Sequence, residues 1–260
     1  MPIKESFHEF LNAAFADSLQ KDYEAAVAAV GAGPLSASAL QEVLDTILAE
    51  RDHMAFAKKA GLFLAAAHNL IKGDAVLDLS ALGDARLDCL GAFGKAGSLT
   101  VKGDAGSYAG ACMEAGTLTI EGDAEDYAGH GMKGGTLGIK GLAENHLGHE
   151  MVGGAILVSR NAHDFIGNSM IGGHIAVQAN AGYSTGYRMK GGLIEIRDLT
   201  WDLAGEEMTG GRIVIGGHIG RDLGLGMAGG ELALSDKNEG AVRAKSSGGK
   251  LTILKKGARR

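Results

Sequence analysis

Residues 132–148 read MKGGTLGIKGLAENHLG, and variants of this segment recur along the chain at a constant spacing of nineteen residues. Glycine and apolar columns share this register, including a Leu/Ile column that runs from Leu99 to Leu251. Methionine opens seven successive copies, at positions 113, 132, 151, 170, 189, 208 and 227. Because the spacing holds without an insertion, the sequence predicts an architecture of stacked copies of one unit.

The local pattern within each copy indicates a strand. Leu137 and Ile139 alternate with Gly138, which is the two-residue period of a strand that buries one face, and glycines on both sides mark turns. One such strand cannot bury its apolar face alone, whereas stacked coils pair each strand with its counterparts about 4.8 Å away. We therefore predict a mainly β fold, a single-stranded β-helix of about nine 19-residue coils over residues 94–253.

The composition excludes several other classes of protein. Glycine accounts for 43 of 260 residues, but there are only 2 prolines and 45% of residues are hydrophobic, unlike collagen or a disordered chain. The net charge of −6 argues against a nucleic-acid partner. Charges near the N-terminus and the lack of an apolar run of about 18 residues predict a cytoplasmic protein with no membrane partner.

The first 72 residues have a different pattern, that of a small all-α segment. Apolar spacing predicts helices over residues 5–20, 22–30 and 53–71, and Ser38 with Gln41 resembles a capping box that opens a further helix. This segment of three or four helices either caps the open strand edge of the β-helix or docks a partner. A degenerate first coil follows at residues 73–93.

The C-terminal residues 254–260 form a basic tail with four positive charges. The tail is expected to solubilise the chain end and shield the last coil, or, alternatively, to dock an acidic partner.

The run from Gly129 to Gly141, M-x-G-G-x-[IL]-x-[IV]-x-G at its centre, resembles the repeat of the GXGXG β-helix family. This family includes the C-terminal domain of the glutamate synthase large subunit, the β-helical subunit of formylmethanofuran dehydrogenase and the matching subunit of the formyltransferase/hydrolase complex. The resemblance spans about residues 85–253. It implies a right-handed β-helix without catalytic residues that holds other domains or subunits in place. Residues 1–72 do not resemble the leader of either branch, so the pathway stays open.

Motifs for phosphate binding or nucleophilic catalysis are not found in the sequence. His130 and His149 occupy the same repeat position and are expected to stack. The column continues as a polar strip through Asn168, Tyr187 and Glu206. We interpret this strip as a solvated or partner-facing surface. A metal site would need a third ligand that the sequence does not make obvious, so no catalytic, cofactor-binding or metal-binding residue is assigned.

These observations favour a non-catalytic scaffold subunit of a multi-subunit enzyme complex. The resemblance implies an oxidoreductase complex of the glutamate synthase or formylmethanofuran dehydrogenase type. Flavin, iron–sulfur or metal centres would then belong to the partner subunits, with no cofactor in this chain. Two alternatives stay open, a free-standing β-helix enzyme and a module that associates with itself as a homo-oligomer.

Overall fold

A ten-stranded parallel sheet runs through the computed structural model, which describes residues 3–31, 35–71, 73–238 and 248–254. Each strand pairs with the next strand in sequence. The strands are β1 (Asp74–Asp78), β2 (Ser98–Lys102), β3 (Thr117–Ile120), β4 (Thr136–Ile139), β5 (Ala155–Val158), β6 (His174–Val177), β7 (Leu193–Ile196), β8 (Arg212–Ile215), β9 (Glu231–Ser235) and β10 (Lys250–Leu254). The predicted β-helix is confirmed.

The strand register reproduces the sequence period. Leu118 pairs with Leu99 on one side and with Leu137 on the other, so each coil advances by nineteen residues. A second line of parallel bridges links Ala105, Ala124, Ala143, Ala162, Ala181 and Thr200, so these coils are paired at a second point. The first coil is longer, since Asp74 pairs with Ser98.

Identical residues stack in columns inside the coils. The Leu/Ile column is buried from Leu99 to Leu232, whereas Leu251 in the last coil is 39% exposed, and all seven methionines of the repeat are buried. The methyl group of Met151 reaches the next coil, where a Cβ atom at Gly173 would lie 2.7 Å from it. The glycine column before each strand therefore makes room for the methionine column, and both columns are needed to fill the core.

Two further columns carry Asp or Asn whose side-chain oxygen accepts the backbone N–H of the equivalent residue one coil later. Asp126 Oδ1 accepts the N–H of Asn145 at 3.0 Å, and Asp123 Oδ1 accepts that of Leu142 at 2.8 Å. The same bond is made by Asp88, Asp104, Asn145, Asn161, Asp164, Asn180 and Asp202. These bonds satisfy backbone donors at the corners, where the strand ladder is interrupted.

Four helices precede the sheet: α1 (Ile3–Asn12), α2 (Leu19–Val30), α3 (Ala39–Ile47) and α4 (Phe56–His68). The expected helix over residues 5–20 is wrong in extent. It ends at Asn12, Phe15 is 49% exposed, and Ser18 caps α2 by accepting the N–H of Lys21. The Ser18 cap opens a new helix there, because its hydroxyl satisfies a first-turn donor.

The predicted capping box of α3 is also wrong. Ser38 has helical backbone angles and its side chain makes no cap hydrogen bond. Gln41 turns instead toward β1, where its amide accepts the N–H of Asp78 at 2.8 Å and donates to the Asp78 carbonyl at 3.2 Å. The amide of Gln41 thus pairs with the peptide of Asp78 much as a neighbouring strand would.

The helices cover the N-terminal end of the solenoid. The N–H of Asp88 donates to the carbonyl of Ala57 in α4 at 3.2 Å, and the Tyr23 ring of α2 stacks on Phe93 at 4.4 Å. Buried side chains of the helices and of the coils form one continuous hydrophobic cluster. These contacts support the capping role, while docking through a helix face stays a prediction. Of the predicted basic tail, residues 254–260, Leu254 ends β10 and residues 255–260 lie outside the described residues.

Gly135→Ala is expected to lower the free energy of unfolding by more than about 2 kcal/mol, because Gly135 has φ +75° and a new Cβ atom would lie 2.7 Å from the carbonyl oxygen of Gly116. Gly138→Ala in the adjacent strand is the control, since its nearest neighbour would be 3.9 Å away. It should change stability by less than about 1 kcal/mol. Urea unfolding measures both, and equal effects would contradict the packing described.

Gly61→Ala tests the contact between α4 and the first coil. Alanine favours a helix over glycine by about 1 kcal/mol, yet a Cβ atom at Gly61 would overlap the carbonyl oxygen of Asp88. We expect a loss of stability of several kcal/mol, on the order of an overpacked core. Ala28→Gly, on the exposed face of α2, should cost only about 1 kcal/mol. A thermal melt in which Gly61→Ala is stabilised would contradict the cap.

Candidate functional site

His130 and His149 stack at one corner of the solenoid, as their shared repeat position predicts. Their ring centroids are 5.2 Å apart at an interplanar angle of 18°. The two Nδ1 atoms approach to 3.0 Å, so one ring must donate its Nδ1–H to the other in the neutral state. The pair is part-buried, as are Asn168, Tyr187 and Glu206 in the strip that continues from it.

The rest of the predicted polar strip lies along the same corner but does not converge on one point. Asn168 accepts a hydrogen bond from Ser169 at 2.9 Å, and Glu206 accepts one from Ser184 at 3.3 Å. The Arg188 guanidinium lies 4.8 Å from the centre of the Tyr187 ring. Contact of this strip with a partner stays a prediction.

An aromatic column stands beside the histidine pair and was not recognised in the sequence. Tyr108, Tyr127, His146 and Phe165 stack with centroid separations of 5.0, 4.6 and 5.0 Å, and all have φ near +60°. Tyr127 and His146 meet the histidine pair edge-on, at 88°. The nineteen-residue spacing of these rings was available as a signal, but their left-handed backbone was hidden, since non-glycine residues rarely adopt it.

Burial sets the ionisation of the histidine pair. Desolvation lowers the pKa of His130, against the attraction of Glu150. The pKa of His149 is lowered by desolvation and then by the charge that His130 would carry. A carboxylate oxygen of Glu150 and one nitrogen of each ring lie within 4.8 Å of one another. Glu150 therefore places a carboxylate oxygen where a third ligand atom would be needed beside the two rings.

A cleft of about 520 Å³ opens next to His130, between the helices and the first coils. It is lined by Leu19, Lys58, Asp88, Cys89, Ser107, Tyr108 and His130. Burial raises the pKa of the Cys89 thiol to about 12, so this thiol is not an activated nucleophile at neutral pH. The ammonium of Lys58 pairs with Asp22 at 2.7 Å. The cleft therefore gives access to His130. Its Cys89 thiol does not supply a nucleophile.

A second cleft, of about 570 Å³, lies at the first coil around Arg86. The Arg86 guanidinium donates to Asp104 at 3.0 Å and to Glu125 at 2.8 Å. The Arg86 guanidinium, which an anionic ligand would need, is therefore already paired with two carboxylates of the chain. Among the helices of the described residues, none is long and apolar enough to cross a membrane.

Comparison with known proteins identifies relatives of the repeat. Residues 91–251 match the family model described as GXGXG motif. A chain in the solved structure of the formyltransferase/hydrolase complex (FhcABCD) from Methylorubrum extorquens, in complex with methylofuran, is 29% identical, with a TM-score of 0.48. The match covers 70% of this chain and 57% of that chain, so it leaves much of that relative unmatched. The search of curated proteins found no match.

His149→Phe is expected to flatten the pH dependence of stability. Both histidines have pKa values below the ordinary 6.5, so they stay neutral in the folded chain while the unfolded chain takes up protons below that pH. The contribution of these two groups to the free energy of unfolding is therefore full above pH 6.5 and falls as the pH decreases. Phenylalanine keeps a stacked ring but removes one proton site. Urea unfolding at about pH 7.5 and about pH 5.5 measures the difference.

The control for this experiment is His163→Phe, at an exposed histidine that pairs with Glu144. It should retain the decline of the unmodified protein with falling pH. An identical decline in His149→Phe and the unmodified protein would show that the stacked pair does not titrate as described.

Proposed function

Since the chain belongs to the GXGXG motif family, we propose that it is a non-catalytic structural subunit that holds other subunits of an enzyme complex in place. The family resemblance supports this role, because the β-helix in that family positions other domains or subunits. The proposal extends to partners that carry the chemistry and its cofactors, whether flavin, iron–sulfur or metal centres.

The observation that carries the proposal is a cluster of exposed contact residues, Tyr183, Trp201 and Arg221, which we call the aromatic corner. Trp201 is the single tryptophan of the chain and is 53% exposed, and its ring centroid lies 5.4 Å from that of Tyr183, itself 43% exposed. Asp202 and Arg221 follow Tyr183 in the same column, one and two coils later, and the guanidinium of Arg221 pairs with the carboxylate of Asp202. Trp, Tyr and Arg are the residues most enriched at binding hot spots.

The build of the solenoid suits a platform. Each coil is bonded to the next by the strand ladder and by the Asp/Asn columns, and the core is filled by the methionine columns. Because successive coils are bonded in this way, they move little relative to one another. Groups on the surface therefore keep fixed spacings that a partner can match. A rigid surface loses little conformational entropy on binding.

Two kinds of complex follow from the family resemblance. Partners with flavin or iron–sulfur centres would indicate a glutamate synthase-like assembly. Partners that resemble amidohydrolase or formyltransferase subunits would indicate a one-carbon assembly. A homo-oligomer through the aromatic corner is the alternative, because the same side chains could meet those of a second copy.

Affinity purification of the tagged chain from its native cell, followed by mass spectrometry, should recover other large subunits in stoichiometric amounts. Substituting Ser at both Tyr183 and Trp201 should lower their recovery at least about tenfold, the effect of losing one or two hot-spot side chains. Leu157→Ser, on the outer face of β5 with 44% exposure, is the matched control and should retain the partners. Circular dichroism checks that both variants fold.

Recovery of the chain alone as a monomer would contradict the scaffold proposal. Recovery only of further copies of the same chain would replace it with the homo-oligomer. Unchanged recovery with the double variant would remove the aromatic corner as the contact while leaving the complex itself intact.

A further inference from the structure

The histidine pair stands out from the repeat, because only two coils of its column place an imidazole there. Between residues 92 and 225 the column otherwise carries Ala92, Ala111, Asn168, Tyr187, Glu206 and Leu225. Two stacked imidazoles with a carboxylate beside them are therefore a local feature, since the other coils of the solenoid form without histidine at this position. Such a set has the donor chemistry that Zn²⁺ prefers, nitrogen from His and oxygen from Glu.

We propose that His130, His149 and Glu150 bind a divalent transition-metal ion, Zn²⁺ by preference. One nitrogen of each imidazole and a carboxylate oxygen lie within 4.8 Å of one another. Zinc bonds of about 2.0–2.1 Å at a tetrahedral angle place two nitrogen ligands roughly 3.3 Å apart. The two Nδ1 atoms are already 3.0 Å apart, so a small movement of the rings would seat the ion between them.

The surrounding aromatic column holds the imidazole rings in this orientation. Tyr108 meets the His130 ring edge-on at 5.8 Å, and Tyr127 meets the His149 ring edge-on at 5.7 Å. Rings that are fixed by packing lose little entropy when they take up a metal, which is the requirement for a pre-organised site. In the neutral pair one Nδ1 carries a proton, so that ring would have to hold its proton on Nε2 instead for both Nδ1 lone pairs to face the ion.

Space for the ion and for a fourth ligand is available. Gly131 stands between Cys112 and Glu150 in their common column, and the nearest atom to a Cβ built there would be Cys112 Sγ at 3.5 Å. The cleft described above reaches His130 from the side of the helices. Three protein ligands leave one coordination position of a zinc ion open, here for water. The proposal revises the expectation that this chain holds no metal, and it is independent of the scaffold role.

The test is metal titration of the purified full-length chain after treatment with a chelator. Isothermal titration calorimetry with Zn²⁺ should show one ion bound per chain, and Zn²⁺ should raise the melting temperature, because the ion binds the folded state. Co²⁺ in place of Zn²⁺ should give the visible absorption of a cobalt site with nitrogen and oxygen ligands.

His149→Gln and Glu150→Gln should each weaken Zn²⁺ binding at least about tenfold, because each removes one direct ligand. His174→Gln is the matched control, since His174 bonds Glu195 at 2.9 Å in a His–Glu pair that lacks a second imidazole, and it should bind as the unmodified chain does. Glu150 is exposed, so its variant is expected to fold and keeps the test valid if the histidine variant does not.

Absence of saturable Zn²⁺ and Co²⁺ binding by the unmodified chain would overturn the proposal and leave the 3.0 Å contact as a hydrogen bond between two neutral imidazoles. Equal losses in His174→Gln and Glu150→Gln would overturn it as well, because the binding would then be nonspecific.

Discussion

The structure depends on the close approach of equivalent backbone atoms in neighbouring coils. At the corner before each strand, the peptide of one coil lies so near the next that only glycine fits, and the same corner needs positive φ. Once this approach is made, the strand ladder, the methionine columns and the Asp/Asn bonds are all brought into register. A chain with alanine at these corners would have to separate its coils and lose all three interactions.

This constraint also explains where chemistry can be placed on the solenoid. Inner positions are committed to packing, so functional groups are confined to the outer faces and corners. Because equivalent positions stack, a polar residue that appears in two successive coils produces a pair at fixed separation. His130 with His149 is such a pair. Tyr183 and Trp201 are eighteen residues apart, so they stand in neighbouring columns, where their rings form an adjacent pair at the surface. A change of one or two residues at outer positions of neighbouring coils thus produces a pair of side chains at a defined separation on the surface.

Much of the fold could be predicted from the sequence, because the nineteen-residue spacing of the repeat is also the register in which the strands pair. The inner Leu/Ile column, the methionine column and the stacking of His130 on His149 are consequences of that spacing alone. The helix boundaries were less predictable. Ser18 caps α2, whereas Ser38 has helical backbone angles and its hydroxyl bonds that of Ser36, a difference that residue type alone does not reveal.

The candidate site was only partly predictable for a related reason. The column position of Glu150 beside the histidines could be read from the sequence, but the direction of its carboxylate could not. The ring planes of the histidines are set by Tyr127 and His146, whose left-handed backbone has no residue signature outside glycine. Side-chain convergence of this kind depends on tertiary packing that periodicity does not encode.

We propose that this chain works as a structural part of an assembly of different subunits. The most direct measurement is the native mass of the untagged protein in fresh extract from its own cell, by native gel electrophoresis and detection with an antibody. We expect the chain to migrate in a species several times larger than its own 26.6 kDa, with different polypeptides in the same band. Migration as a free 26.6 kDa monomer would contradict it.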